Sequence, residues 1–483
     1  MEKLRNYIDG RWEESKSSQW LDVYNPTTDE VIAQVPLSTP EEVRRAIQAA
    51  KRAFPEWRET PPLTRARYLF RLKELLEENF EDISRTIVLE EGKTIDEARG
   101  EMRRMIENVE VATGIPSLMM GYNLEDIAPG IDEEVVRQPL GVFAMIPPFN
   151  FPAMVPWWFA PYALATGNTY IIKPSEQVPL TQEKIFELID ELDLPPGVIN
   201  LVNGAKEVVD LLLESPDIIG ISSVTSTPVA RYIYRKAAEH GKRVQCQAGA
   251  KNFLIVMPDA DLDRAVPNII HSVYGCAGER CLAGSVVAAV GDSDGHYEQL
   301  KERLVSAARA LKVGDPLDET VQMGPVISKR HKERVLGYIE KGLEEGAELV
   351  LDGRGIDVGL PGYFIGPTIF DKVRPEMTIA REEIFGPVMC LMRFKDLDEA
   401  ITTINASEFG NAASIYTQNG RWAREFKYRV ECGNIGVNLG IVAPMAFFPF
   451  GGRKASFFGD LHGQGRDAIE FFTEKKIVIT RWW

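Results

Sequence analysis

The sequence predicts an α/β protein built from a doubly wound parallel sheet of the nucleotide-binding type, followed by a second α/β unit. Three observations predict it. From Gly141 onward short apolar runs, VFAMI, TYIIK, VINLVN, IIGISSV and VQC, alternate with helical stretches, the pattern of strands buried on both faces. The intervening segments, near 153–165, 181–192, 206–214 and 228–240, are long enough for crossover helices. A second series opens with FLIVM at Phe253 and runs through SVVAAV at Ser285, MCLMRF near Met389 and NIGVN near Asn434, which places a domain boundary near residue 250.

Ahead of the first sheet the periodicity is helical. Thr39 caps a helix with Pro40 in its first turn and Glu42 completing a capping box, and Val43, Ala46, Ile47, Ala50, Ala53, Phe54 and Trp57 line its apolar face. Two more helical stretches span roughly 63–89 and 94–113. At the other end EFFTEKKIVITRWW alternates like a strand and ends in aromatics, so something covers it. It either completes a sheet in its own subunit or pairs with a neighbouring one.

Length and composition bound the function. At 483 residues the chain exceeds what one core normally organises, and 45% hydrophobic with 26% charged residues is a globular balance. A net charge of −16 argues against nucleic-acid and anionic-membrane partners. Five cysteines with no CxxC pair suit neither a disulfide framework nor a zinc site. With no apolar signal core at the start and no run of roughly 18 apolar residues, the expectation is a cytoplasmic enzyme with no metal; the five histidines form no ligand-spaced cluster.

Four segments can carry chemistry. Cys281 in GCAGERCLAGS follows a cation, a setting that lowers a thiol pKa; the alternative is a small buried hydrophobe. Asn150 follows an apolar strand between prolines and can present its amide to an oxyanion, or be a turn asparagine. Lys173 and Glu176 in IIKPSE sit beyond a strand end, where a lysine–glutamate pair can meet ribose hydroxyls or face solvent. In SSVTSTPVARYI, Ser226 or Thr227 caps a helix whose N-terminus suits a pyrophosphate, although neither a three-glycine fingerprint nor a Walker-A loop occurs.

Together these segments resemble the aldehyde dehydrogenase superfamily from the NPTT stretch at Asn25 onward, with FNFP, KPSE, STP, GERC, GPT and EIFGPV in the family's order. PPFNFP, AGAKN, AGERC, APMAFFPF and SFFGDLHG most resemble its CoA-acylating branch, the methylmalonate or malonate semialdehyde dehydrogenases. The resemblance implies an NAD(P)-binding domain over 1–120 and 141–248, a catalytic domain over 249–445 and a small β oligomerisation element over 121–140 and 464–483, assembled as a homotetramer ahead of a dimer. It implies Cys281 as nucleophile and Asn150, with the Cys281 backbone N–H, as oxyanion donors. Phe149, Lys173, Glu176, Ser226, Glu383 and Phe385 become cofactor contacts, and Arg104 and Arg280 become carboxylate-binding residues of the substrate site.

Two departures from the family pattern bear on chemistry. Most hydrolytic members carry a glutamate in ELGGK, whereas here the stretch reads Gln247-Ala248-Gly249-Ala250-Lys251. An amide cannot accept the proton, and loss of a general base typically costs about 10²- to 10⁴-fold, which leaves a thioester for coenzyme A. Ser223 and Thr225 replace residues usual in the cofactor segment, so NADP stays open beside NAD, although Glu176 repels a 2′-phosphate. The expected function is oxidation of a carboxylated semialdehyde through a Cys281 thioester, transfer to coenzyme A, and decarboxylation. The alternatives are a CoA-independent enzyme releasing a free acid, and an inactive structural relative.

Overall fold

The computed structural model describes residues 2–291 and 295–483. Its first large sheet has eight strands in the order Phe457–Phe458, Arg243–Gln247, Ile218–Val224, Val142–Ile146, Thr169–Ile172, Ile199–Leu201, Asn6–Ile8 and Arg11–Glu13. The five strands from Arg243–Gln247 to Ile199–Leu201 are parallel. Val142–Ile146 comes first in the chain yet lies in the middle: the next two strands add on one side, and the chain then reverses to add Ile218–Val224 and Arg243–Gln247 on the other. Such a reversal opens a crevice at the carboxyl ends of the central strands.

Side-chain alternation explains why this sheet is doubly wound. Phe143, Met145, Tyr170 and Ile172 join the core on one face. Val142, Ala144, Ile146 and Ile171 join the core on the other, as a period of two requires when both faces are buried. The helix Pro40–Glu59, with the Thr39–Glu42 capping box in place, covers the second of these faces. Thr94 and Glu97 form the same device at the start of Ile95–Ala112.

The second sheet orders seven strands as Glu348–Leu351, Thr368–Asp371, Val388–Phe394, Val286–Val290, Phe253–Val256, Ala412–Tyr416 and Asn434–Val437. All pairs are parallel except the first. A third sheet of three strands pairs Thr473–Arg481 with Ile131–Pro139, and Ile131–Pro139 with Tyr122–Ala128. The terminal strand therefore completes a sheet within its own chain. Among the described residues no helix is long and apolar enough to cross a membrane.

Three local expectations need correction. The stretch 63–89 is two helices, Pro62–Glu78 and Phe80–Glu91, because Asn79 turns its amide back onto the Leu75 carbonyl at 2.9 Å and ends the first. The crossover at 153–165 is a 3₁₀ turn, Pro156–Trp158, and then a short helix, Ala160–Thr166. Pro152, Pro156 and Pro161 withhold the N–H groups a continuous helix needs. The terminal strand is also preceded by a helix, Gly465–Phe472, that the strand-like alternation concealed.

Candidate active site

Three functional segments leave the carboxyl ends of neighbouring strands. Asn150 follows Val142–Ile146, Ser226 follows Ile218–Val224, and the Ala248–Lys251 turn follows Arg243–Gln247. The Cys281 segment arrives from the second unit. Beyond the helix Leu262–Tyr274 the chain passes through Cys276 and Ala277 in left-handed conformation, with φ 48 and 51. Next comes Gly278 with φ 77, where a Cβ would lie 2.2 Å from the Gly386 carbonyl oxygen. Only glycine permits that approach, which presses the GERC segment against the EIFGPV segment.

Side chains hold the loop in place. Glu97 Oε1 accepts from the Cys276 N–H at 2.7 Å and from Arg280 at 2.6 Å. The Cys281 carbonyl accepts from the amides of Asn252, at 2.8 Å, and Asn411, at 2.7 Å. The half-buried Cys281 thus reaches a cavity of about 360 Å³ whose wall includes Arg104, Phe151, His271, Arg280 and Phe450. Burial pushes its thiol up to about 12, and the nearby Glu383 adds to the rise. The adjacent cation was expected to lower the thiol pKa. Arg280 does act in that direction, but burial and Glu383 outweigh it.

Asn150 is buried and donates its amide to the Glu279 carbonyl at 2.7 Å, two residues before the nucleophile. Arg104 and Arg280 line the same cavity as Cys281. Arg104 Nη1 meets Glu107 at 3.0 Å and leaves other donors open. Arg280 is half-buried, and its Nε has no partner among the described residues.

A second cavity of about 580 Å³ is lined by Ser226, Arg231, Arg235, Arg334, Glu383 and Phe409, among others, a size within the ~300–1,000 Å³ of cofactor sites. Ser226 starts the helix Thr227–Glu239 without capping it through its side chain. Thr227 Oγ1 instead accepts from the Gly249 N–H at 3.0 Å. Glu383 accepts from the Ala250 N–H at 3.0 Å, and burial lifts its carboxyl to about 7. A Cβ on Gly249 would stand 2.7 Å from Glu383 Oε2 and 2.8 Å from Thr227 Oγ1, so a side chain there would push those two groups aside. Lys173 is buried at the end of its strand with Nζ 3.0 Å from Glu176. Burial acts against the Glu176 charge, yet Lys173 holds its pKa below the usual carboxylate value. This pair is not part of the wall just described. Phe149 and Phe385 pack edge to face at 5.8 Å, and Phe385 is itself left-handed, with φ 61.

Gln247, at the position of the missing glutamate, is buried and donates its amide to the Phe450 carbonyl at 2.6 Å. Sequence reasoning missed four residues. Glu97 and Glu101 carry no sequence signal beyond a helical stretch, Glu279 reads as part of a motif, and His331 as a scattered histidine. His331 Nε2 donates to the Phe385 carbonyl at 2.6 Å and lies 3.3 Å from Glu279 Oε1. Nothing local in the sequence points from Glu97 to Arg280, 183 residues away.

The sequence profile of the aldehyde dehydrogenase family matches residues 12–478. The chain belongs to this family. It is 52% identical to a malonate-semialdehyde dehydrogenase of Halalkalibacterium halodurans over 481 residues, covering 100% of this chain and 99% of that one. Malonate-semialdehyde dehydrogenase 2 of Geobacillus kaustophilus is 53% identical, with the same coverage. Among solved structures, methylmalonate-semialdehyde dehydrogenase from Oceanimonas doudoroffii superimposes with a TM-score of 0.98 at 45% identity, over 100% of this aldehyde dehydrogenase and 99% of that chain. A Sinorhizobium meliloti structure complexed with NAD gives 0.98 at 43%, over 100% and 98%.

Proposed function

We propose that this aldehyde dehydrogenase oxidises malonate or methylmalonate semialdehyde with NAD and passes the acyl group to coenzyme A with loss of carbon dioxide. The observation that carries the reading is the single cavity shared by Cys281, Arg104 and Arg280. A semialdehyde whose aldehyde carbon stands at the thiol can extend its carboxylate toward two guanidinium groups, and arginine's planar fork suits both oxygens.

The Cys281 thiol gives up its proton to water as its sulfur bonds to the aldehyde carbon, and the carbonyl oxygen takes up negative charge that the Asn150 amide would stabilise. The second cavity fits a nicotinamide dinucleotide: the helix N-terminus at Ser226, the half-buried Glu383 and the close Gly249 turn beside them are the parts such a ligand needs. Lys173, Glu176, Ser226 and Glu383, with the rings of Phe149 and Phe385, would hold it. When bound, NAD supplies the hydride acceptor. The acyl group is then held as a thioester on Cys281.

Release of that thioester separates the branches of the family. Gln247 has no basic lone pair to offer water, and its amide is committed to Phe450. Coenzyme A thiolate therefore displaces Cys281, forming one C–S bond as the other breaks. Loss of carbon dioxide from the β-carboxylated acyl group yields acetyl-CoA or propanoyl-CoA. The five unbridged cysteines fit a cytoplasmic setting, and the uncovered third sheet fits a homotetramer. Incubation with malonate semialdehyde and NAD, with and without coenzyme A, followed by mass spectrometry, tests the reading. Acetyl-CoA and a turnover rate at least ~10²-fold higher with coenzyme A are expected; equal rates, with free acid as product, overturn it.

A further inference from the structure

Beneath the oxyanion asparagine lies an ion pair that the reaction as described does not use. We propose that Lys93, acting with Glu101, is a positioning residue that fixes Asn150: the pair grips both ends of the turn from Asn150 to Met154 and so sets where the amide stands. The inference rests on the reading of Asn150 as the oxyanion donor.

The contacts account for nearly the whole turn. Lys93 Nζ donates to the Asn150 carbonyl at 2.6 Å and to Glu101 Oε2 at 2.6 Å. Glu101 Oε1 accepts from the N–H groups of Ala153, at 2.7 Å, and Met154, at 3.0 Å. Between these ends, Gln182 donates to the Pro152 carbonyl at 2.6 Å, and the Lys93 ammonium sits 3.9 Å from the Phe151 ring centre. The Lys93 and Glu101 side chains are both 0% exposed. Burial works against the Lys93 charge, but Glu101 and Glu91 hold its pKa above the usual lysine value, so the ammonium persists.

A buried ion pair is a poor source of stability, because desolvating two charges offsets their attraction. Its value here is geometric. The pair comes from one short region, Lys93 just before the helix Ile95–Ala112 and Glu101 within it. That helix also presents Glu97 to the GERC loop. One helix therefore sets the asparagine and the nucleophile relative to each other, through separate carboxylates one helical turn apart. The Asn150 side chain closes the circuit by donating to the Glu279 carbonyl. Displacing a catalytic donor by about 1 Å costs on the order of 10²-fold, so the clamp has a kinetic consequence.

The test compares Lys93→Met, Lys93→Arg, Glu101→Gln and Asn150→Ala by two measurements in the full-length enzyme. One is the single-turnover rate of hydride transfer. The other is alkylation of Cys281 by iodoacetamide, a displacement in which no oxyanion forms. Lys93→Met is expected to slow hydride transfer ~10²-fold while changing alkylation by less than about threefold, with Lys93→Arg recovering ~10-fold. Should Lys93→Met fail to fold, Glu101→Gln keeps the shape of the pair and is expected to slow hydride transfer alone by ~10-fold. Unchanged hydride transfer in the lysine or glutamine variant beside a slow Asn150→Ala overturns the positioning role. Equal slowing of both steps overturns it too, since that marks general loss of structure. Normal hydride transfer in Asn150→Ala brings down the oxyanion reading itself, whatever the lysine variants do.

Discussion

At the scale of single residues, the charge next to the nucleophile decides less than the charges around it. Arg280 stands beside Cys281 in the chain, but Glu97 takes its guanidinium at 2.6 Å. Burial comes first and the Glu383 carboxylate second, and together they outweigh Arg280 and raise the thiol to about 12. In the cofactor-free enzyme the thiol is therefore protonated at neutral pH. Rates of Cys281 alkylation measured against pH are expected to give a midpoint well above the ~8.5 of a free cysteine. Glu383 is ionised above its own value of about 7, so Glu383→Gln removes a negative charge and should move the midpoint down. Identical midpoints in the two proteins would show that Glu383 does not reach the thiol. The arginine was legible in the sequence and its partner was not, because an ion pair formed across 183 residues leaves no local pattern.

At the scale of elements, strands buried on both faces were the most legible, since continuous apolar runs such as VFAMI and IIGISSV admit few other readings. Short strands of small or mixed residues went unread. AASIY at Ala412–Tyr416 and TIFD at Thr368–Asp371 carry too little alternation, yet the first is interior to its sheet. His331, on the helix Lys329–Glu344, shows what periodicity misses at a site. Its Nε2 faces two oxygens, the Phe385 carbonyl and the Glu279 carboxylate, so that nitrogen carries the proton in the neutral ring. Through it the helix ties the EIFGPV segment to the GERC segment, both of which reach the reacting centre.

Burial, with Arg334 nearby, lowers the His331 pKa to about 4 against 6.5 for an ordinary histidine. A base with a depressed folded-state pKa stabilises the fold above the unfolded value and loses that contribution as pH falls toward the folded one. The window is therefore pH 6.5 down to 4, and the loss reaches at most about 3 kcal/mol. Glu279, whose carboxyl is raised well above its usual value by burial, acts in the opposite sense over this range. The difference between variants isolates the histidine. His331→Asn is expected to flatten the fall of the thermal midpoint between pH 6.5 and 4.5, and parallel curves for the two proteins would exclude the role.

At the scale of the whole molecule, the chain end that needed covering is only half covered. Phe471 and Phe472 turn into the core of the first sheet, where Phe472 meets Phe143 at 4.9 Å. The strand that follows pairs within the chain but leaves one face bare. In register, Ile477 lies opposite Val135 and Val135 opposite Tyr122, while Ile479 lies opposite Glu133 and Glu133 opposite Leu124. Directly opposed side chains share a face, so Tyr122, Leu124, Ile477 and Ile479 form one apolar surface. They are 68%, 65%, 61% and 66% exposed. An exposed apolar face of this kind marks an association surface, and sequence periodicity alone could not say which face the chain itself would bury. For the proposed homotetramer, Ile477→Asp combined with Ile479→Asp is expected to give a smaller species by light scattering. Cys281 alkylation should not change, because the sheet supplies no residue to the cavity around the thiol. An unchanged mass would place the subunit contact elsewhere. A smaller species that had also lost alkylation would mean that the sheet supports the active site and does more than join copies.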